Sequence, residues 1–239
     1  MILVLALAAS VPFAYDGRLN PGQTLTIRNL NGGVGVRTGD RLSIHATKHA
    51  ERGDPNAVQI HVETRSDGVV VCTRYPPNAS VGCDQPDVRD GNRDDDDTVV
   101  DFDVTIPRGG ALRAVTVNGS IDAATDGSID ARTVNGSVRA EGRDVHDATS
   151  VNGSVTVKVL GRGRGVLDAK TVSGSIDVSL PPGTGYDLHA TTLSGSINAP
   201  GIAVERPRYG LGTRADGSYG DGVRRIDATT VSGSITIHT

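Results

Sequence analysis

The sequence predicts an all-β, single-domain chain whose larger part is a β-solenoid of short coils. Three observations predict it. Six copies of one twelve-residue pattern run through the second half, no stretch of ten residues or more has a helical period, and seven aromatics stand against 31 glycines in 239 residues. A core without large rings must be narrow and filled by Val, Ile, Leu, Ala and Thr. Glycine at nearly twice its ordinary share of about 7%, far from the third that collagen needs, serves as turn punctuation.

Residues 1–14 (MILVLALAASVPFA) carry no charge and are too short to span a bilayer, which takes about 20 apolar residues. Their length and small residues Ala8, Ala9, Ser10 and Ala14 predict the end of a secretory signal peptide whose charged start lies upstream; the competing reading is a buried N-terminal strand. Residues 15–106 predict an irregular β region. Strand-like runs occur at 24–28, 33–37, 41–47, 57–63, 68–75 and 99–106, with Val58, Ile60 and Val62 in clean alternation and Asp67-Gly68 as a hairpin signal. Leu30 to Val34 (LNGGV) echoes the later repeat weakly, so this front packs as an early part of the same sheet.

Cys72 and Cys83 enclose a short loop and are expected to form a disulfide if the chain is exported, since none of the six His pairs with them at metal-ligand spacing. The acidic loop 84–103 follows. Within it Asp90, Asn92, Asp94 and Asp96 have the alternate spacing of a calcium loop, but Asp95 stands where the EF-hand glycine belongs and Asp101 where its Glu belongs. A solvated acidic loop is the preferred reading, and no cofactor is expected.

From 107 to 239 the copies read LRAVTVNGSIDA, IDARTVNGSVRA, HDATSVNGSVTV, LDAKTVSGSIDV, LHATTLSGSINA and IDATTVSGSITI. Their glycines, Gly119, Gly136, Gly153, Gly174, Gly195 and Gly233, are spaced by 17, 17, 21, 21 and 38 residues. The last spacing predicts a degenerate or expanded coil between 200 and 225. Each copy alternates with period two on both sides of its Asn-Gly or Ser-Gly, so both halves are strands, and the Gly repeat turn is expected to use left-handed φ. One such coil cannot bury its inward face alone, whereas stacked coils can. Val117, Val134, Val151, Val172, Leu193 and Val231 should then occupy equivalent places, with Ala131, Ala148, Ala169 and Ala190 inward. A propeller blade, at about 40 residues or more, is too long for this period.

The NGSI/SGSI repeats, IRNLNGGVGV near the start and VDFDVTIP just before the repeats together resemble the bacterial "putative adhesin" family over about residues 20 to 239. That resemblance implies an extracytoplasmic β-solenoid of the envelope or surface, with no recognised catalytic residues.

Other candidate sites have plainer explanations. Asn118, Asn135 and Asn152 fit the glycosylation pattern, as does Asn78, but Ser173, Ser194 and Ser232 replace the repeat asparagines, which points to turn geometry. Gly161 to Gly165 (GRGRG) lacks the Lys-Ser/Thr of a phosphate loop and lengthens a coil. Arg206, Arg208, Arg214, Arg224 and Arg225 form a basic stretch in an acidic chain and read as a solvated face. His146 falls at the aliphatic place of its copy, as a partly buried structural residue at a coil edge. A net charge of −4 makes nucleic acid an unsuitable partner, and no segment suits a membrane span.

The expectation is therefore a non-catalytic solenoid that contacts an envelope polymer or surface protein through ladders of Thr, Ser, Asp and Arg. Alternatives are a carbohydrate-active β-helix enzyme and an envelope-stress sensing module acting through a protein partner. Asp122, Asp130, Asp168, Asp177 and Asp227 alternate outward as a solubilising face would, and the aromatics that line sugar grooves are scarce.

Overall fold

A computed structural model describes residues 10–50, 53–85, 97–206 and 212–239. Those residues form 21 strands in two large sheets and no helix, so the chain is all-β. No helix among them is long and apolar enough to cross a membrane, which says nothing of strands.

The central coils follow the repeat. Each places one strand in either sheet: β8 (Ala111–Val115) and β9 (Ile121–Ala124), β10 (Ser128–Arg132) and β11 (Val138–Gly142), β12 (Asp144–Thr149) and β13 (Val155–Val159), β14 (Gly165–Ser173) and β15 (Ile176–Ser179). Equivalent strands pair in parallel, and period-two alternation sends the aliphatic residues into the narrow space between the sheets. In one sheet Ala114, Ala131, Ala148 and Ala169 form a buried row, and in the other Ile121, Val138, Val155 and Ile176 do. A whole row of alanine among the buried positions keeps the layers close, which explains why the core needs few rings.

The weak echo at Leu30 to Val34 is a genuine coil. β2 (Thr24–Arg28) pairs with β8, and β3 (Val34–Gly39) pairs with β9, so the front third is continuous with the solenoid. Val11–Ala14 belong to β1 (Val11–Gly17), an edge strand antiparallel to β4 (Leu42–His49); residues 1–9 of the signal-like segment lie outside the described residues. The predicted hairpin is β5 (Gln59–Arg65) with β6 (Gly68–Arg74).

The order of coils in space departs from their order in sequence at both ends. Beyond β15 the chain makes β16 (Tyr186–Ser194) and β17 (Ile197–Asn198), crosses the end of the stack with β18 (Val204–Glu205) and β19 (Thr213–Tyr219), and then returns. Its last coil, β20 (Arg224–Ser232) and β21 (Ile235–His238), enters the slot between β14/β15 and β16/β17. The 38-residue spacing therefore corrects the expectation of a degenerate coil: residues 200–223 hold no repeat and include β18 and β19, which lie antiparallel across the end. At the other end β6 and β7 (Val99–Pro107) likewise lie outside β2 and β3 although they come later in the chain, and β5 and β4 cover them antiparallel. Stacked repeats contact only their neighbours, so a terminal coil has half the partners of an inner one. Inserting the last coil gives the chain end two neighbours.

One side chain fastens that insertion. Arg224, at the first position of β20, is 1% exposed and donates from its guanidinium to Asp144 Oδ1 at 2.6 Å and to the Gly163 carbonyl at 3.1 Å. It reaches Asp144 across β14 because Gly165 lies opposite it there; a Cβ on Gly165 would come within 2.6 Å of the guanidinium. Gly165 thus has a packing role beyond lengthening a coil, and Gly163 contributes its carbonyl. Arg224 is correspondingly no part of a solvated face, while Arg206, Arg214 and Arg225 are exposed and Arg208 lies outside the described residues.

Candidate functional site

The edge at which each coil passes from one sheet to the other carries the signature Thr-Val-Asn/Ser-Gly-Ser, and each of its positions has a distinct task. The Thr hydroxyl is buried and donates to the glycine carbonyl of the adjacent coil: Thr133 to Gly119 at 2.7 Å, Thr171 to Gly153 at 2.8 Å, Thr230 to Gly174 at 3.0 Å and Thr192 to Gly233 at 2.9 Å. Ser150, where the third copy has Ser for Thr, makes the same bond to Gly136 at 2.7 Å. Thr171→Val keeps the shape but leaves the Gly153 carbonyl without its hydroxyl donor. It should cost about 1–2 kcal/mol, read as a lowered urea midpoint at unchanged slope.

The glycine follows from close approach. A Cβ on Gly119 would lie 1.9 Å from the Gly32 carbonyl oxygen, on Gly136 2.2 Å from that of Gly119, and on Gly195 2.0 Å from that of Gly233. Gly119 and Gly195 have no positive φ, and among the described residues no Asn or Ser has one. The left-handed φ expected of the turn thus falls on glycine alone, at Gly136, Gly153, Gly174 and Gly233, and at all six turns successive coils stack so tightly that a side chain has no room. The preceding amides form their own ladder, Asn118 donating to Asn31 at 2.7 Å, Asn135 to Asn118 at 2.8 Å and Asn152 to Asn135 at 2.8 Å, with Ser173 bridged next to Asn152. Asn side chains so engaged are ladder rungs, which accounts for the glycosylation-like pattern; Asn78 is buried.

Val117, Val134, Val151, Val172, Val231 and Leu193 stand in that spatial order at equivalent positions, beside the amide and hydroxyl rungs. All but half-buried Val117 are exposed, Val151 at 37% and Leu193 at 51%. With Thr171 inward, period-two alternation places Val172 outward, so this apolar row is legible in the sequence once the Thr is recognised as a core residue. The edge as a whole presents a straight aliphatic strip, with rungs about 4.8 Å apart, bordered by hydrogen-bonding groups.

The outer faces are ion-pair lattices. Asp130, Asp147, Asp168 and Asp227 occupy one row on successive strands, and each meets a cation: Arg113 at 3.3 Å, Arg132 at 2.9 Å, Lys170 at 2.6 Å and Arg225 at 2.9 Å respectively. Exposed pairs of this kind contribute about 0–1 kcal/mol each. Asp122 and Asp177 face outward from the other sheet, Asp177 meeting His238 at 3.0 Å. His146 is corrected: a register shift after Ile129 puts Val145 at the aliphatic place and turns His146 out to solvent, 3.1 Å from Asp144. Among the described residues no three His, Cys, Asp or Glu gather as metal ligands, and the calcium-like Asp90, Asn92, Asp94 and Asp96 lie outside those residues.

Cys72 and Cys83 are disulfide-bonded, and with Val70 they form a small buried cluster under the loop that covers the outer face of β6. Arg65 bonds both Glu63 and Asp84 beside it, and these contacts hold both carboxyls below their ordinary range. Replacing both cysteines by serine frees a short loop in the unfolded chain. It should lower stability by about 2–3 kcal/mol, and a thiol titration of the native, unreduced protein should find no reactive sulfhydryl.

The fold is shared with a solved structure. A putative cell adhesion protein from Clostridium sporogenes superimposes with a TM-score of 0.54 at 14% identity, covering 96% of this chain and 99% of that one. A putative adhesin from Bacteroides fragilis gives 0.35 at 9% identity, covering 95% and 97%. No curated protein matches the sequence. The family model described as Toastrack DUF4097 matches residues 116–238, the stretch that holds the stacked coils, the stacked turns and the inserted end, and the chain belongs to that family.

Proposed function

We propose that the protein is a non-catalytic, extracytoplasmic solenoid of the bacterial cell envelope, an adhesin or surface-binding scaffold that engages an envelope polymer or a surface protein. The exposed aliphatic row from Val134 to Leu193 carries this reading. Exposed apolar surface of regular spacing, bordered by amides and hydroxyls, suits a partner that is itself repetitive, because weak contacts along a row add through effective concentration. Catalysis calls instead for unlike groups converging within hydrogen-bond reach. The rows here set like beside like. The Cys72–Cys83 bond fits an oxidising compartment, and the Clostridium structure is named for cell adhesion.

The test is retention on immobilised envelope extract. Wild-type protein should be retained, and Val151→Ser with Val172→Ser, both on exposed positions, should weaken retention about tenfold while the circular dichroism spectrum stays the same. Saturable cleavage of a polysaccharide by wild-type protein, abolished by Asp177→Ala without unfolding, would sink the reading.

A further inference from the structure

The opposite edge, where the chain passes back from the second sheet to the first, has a different chemistry. Its turns stack in the order 107–110, 125–127, 142–144 and 160–164: the Gly109 amide donates to Asp126 Oδ1 at 2.7 Å, the Asp144 amide to the Gly127 carbonyl at 3.3 Å, and the Gly161 amide to the Arg143 carbonyl at 3.0 Å. Arg108, Arg143, Arg162 and Arg164 project from these turns, all exposed. On the sheet faces Arg37, Arg113, Arg132 and Arg225 are paired with aspartates. Among the described residues, no carboxylate lies within ion-pair distance of Arg108, Arg143, Arg162 or Arg164. Arg41 and Asp40 occupy the β3–β4 turn at the same level, since Gly39 lies opposite Pro107. Five arginines thus face two carboxylates, Asp40 and Asp126, along one edge of a chain whose net charge is −4. A third nearby carboxylate, Asp144, is taken by Arg224.

Between the turns lies a groove of about 510 Å³ lined by Arg108, Gly109, Asp126, Arg143, Leu160 and Gly161. We propose that this groove is a binding site for an acidic polysaccharide, a linear polymer in which carboxylates alternate with hydroxyl-bearing rings. The proposal rests on the reading of the protein as an envelope-polymer binder and names the site and the ligand class. Arg108 and Arg143 flank Asp126, two coil steps or about 10 Å apart along the stack. Each guanidinium presents a fork that fits a carboxylate bidentately. Asp126 uses Oδ1 for the Gly109 amide and keeps Oδ2 for a ligand hydroxyl. Leu160, 46% exposed, offers an apolar surface to the C–H face of a sugar ring. An uninterrupted polyanion, such as a nucleic acid or a lipid headgroup surface, would set negative charge against Asp126. A polymer with one acid per disaccharide places its carboxylates on the arginines and a neutral ring on the aspartate.

The test measures binding of the whole chain to hyaluronan, which has one carboxylate per disaccharide, to polygalacturonate, which has one per ring, to neutral dextran, and to vesicles containing phosphatidylglycerol. The expected order is hyaluronan above polygalacturonate, with dextran and vesicles unbound. Arg108→Gln with Arg143→Gln should weaken hyaluronan binding about 100-fold, about tenfold per charge-assisted contact. Lysine at both positions should restore part of it. Arg113→Gln, on the sheet face, should leave binding unchanged, and Val151→Ser with Val172→Ser should leave it unchanged as well. Dextran bound as tightly as hyaluronan, vesicle binding lost with the same two arginines, or no binding of either acidic polymer would each overturn the proposal. If envelope extract still retains the protein through the Val151 row in any of those cases, the surface-binding reading survives. Loss of that retention together with polysaccharide cleavage would overturn both.

Discussion

Asp144→Ala will destabilise the protein by about 3–5 kcal/mol, the range expected when one partner of a buried ion pair is removed and the other charge is left behind. Arg224 is the partner left behind. It is 1% exposed, and among the described residues Asp144 is the one carboxylate that meets it in an ion pair and none hydrogen-bonds its buried Nε. Asp144 itself is a quarter exposed and also meets His146, so it can be rehydrated when Arg224 is removed. Arg224→Met should therefore cost less than Asp144→Ala. The double variant should be more stable than Asp144→Ala alone, because it no longer buries an unpaired charge. Urea unfolding of the three variants gives the order, and hydrogen exchange locates the loss: protection should fall in β20 and β21 while β8 to β11 stay protected. A double variant less stable than Asp144→Ala would show that the pair is not what holds the inserted coil.

The same pair shows where sequence reasoning reached and where it stopped. Period-two alternation around a fixed glycine located the strands, their inward rows and the equivalent valines, because each of those depends only on local pattern. The order of the last coils does not. Leu167, Leu188 and Ile226 fill the same inward place, and Ala169, Ala190 and Ala228 the next, so a strand from any of these copies fits beside either of the others. Repeats that are alike cannot encode their own sequence in space. The order is written in residues outside the repeat: the stretch 200–223, long enough to cross the end of the stack and come back, and the Asp144, Gly165, Arg224 set, which only one arrangement brings together. His146 failed for a related reason. Val145 and His146 both stand one strand-length before the turn, and alignment by the glycine chose the wrong one because a bulge after Ile129 shifts the count by one. The turn glycines were found for a local reason, φ, which holds at Gly136, Gly153, Gly174 and Gly233; the cause common to all six is the neighbouring coil. The apolar edge was present as six valine or leucine letters, and its exposure followed from the buried Thr beside them.

Gly153→Ala puts that last point to the test with the second large effect. The new methyl group would lie 2.1 Å from the Gly136 carbonyl oxygen and 2.5 Å from its carbon, at a φ of +158° that side chains rarely adopt. Backbone cannot rotate aside as a side chain would. Two coils must therefore separate, and with them the Gly136 amide bond to the Asn152 carbonyl, the Asn135–Asn152 rung and the packing of Val138 on Val155. Overpacking of well-filled interiors costs about 1–3 kcal/mol even where side chains can yield. A clash against main chain, with φ strain added, should exceed about 3 kcal/mol. Gly163→Ala is the matched control: it lies in the 160–164 turn with nothing within 4 Å of its Cβ, and its carbonyl still accepts from Arg224. That change should stay within about 0.5 kcal/mol of wild type. Thermal or urea unfolding of the two variants decides the matter. Equal stabilities would mean that the turns have slack, and that glycine recurs there for its conformational freedom after all.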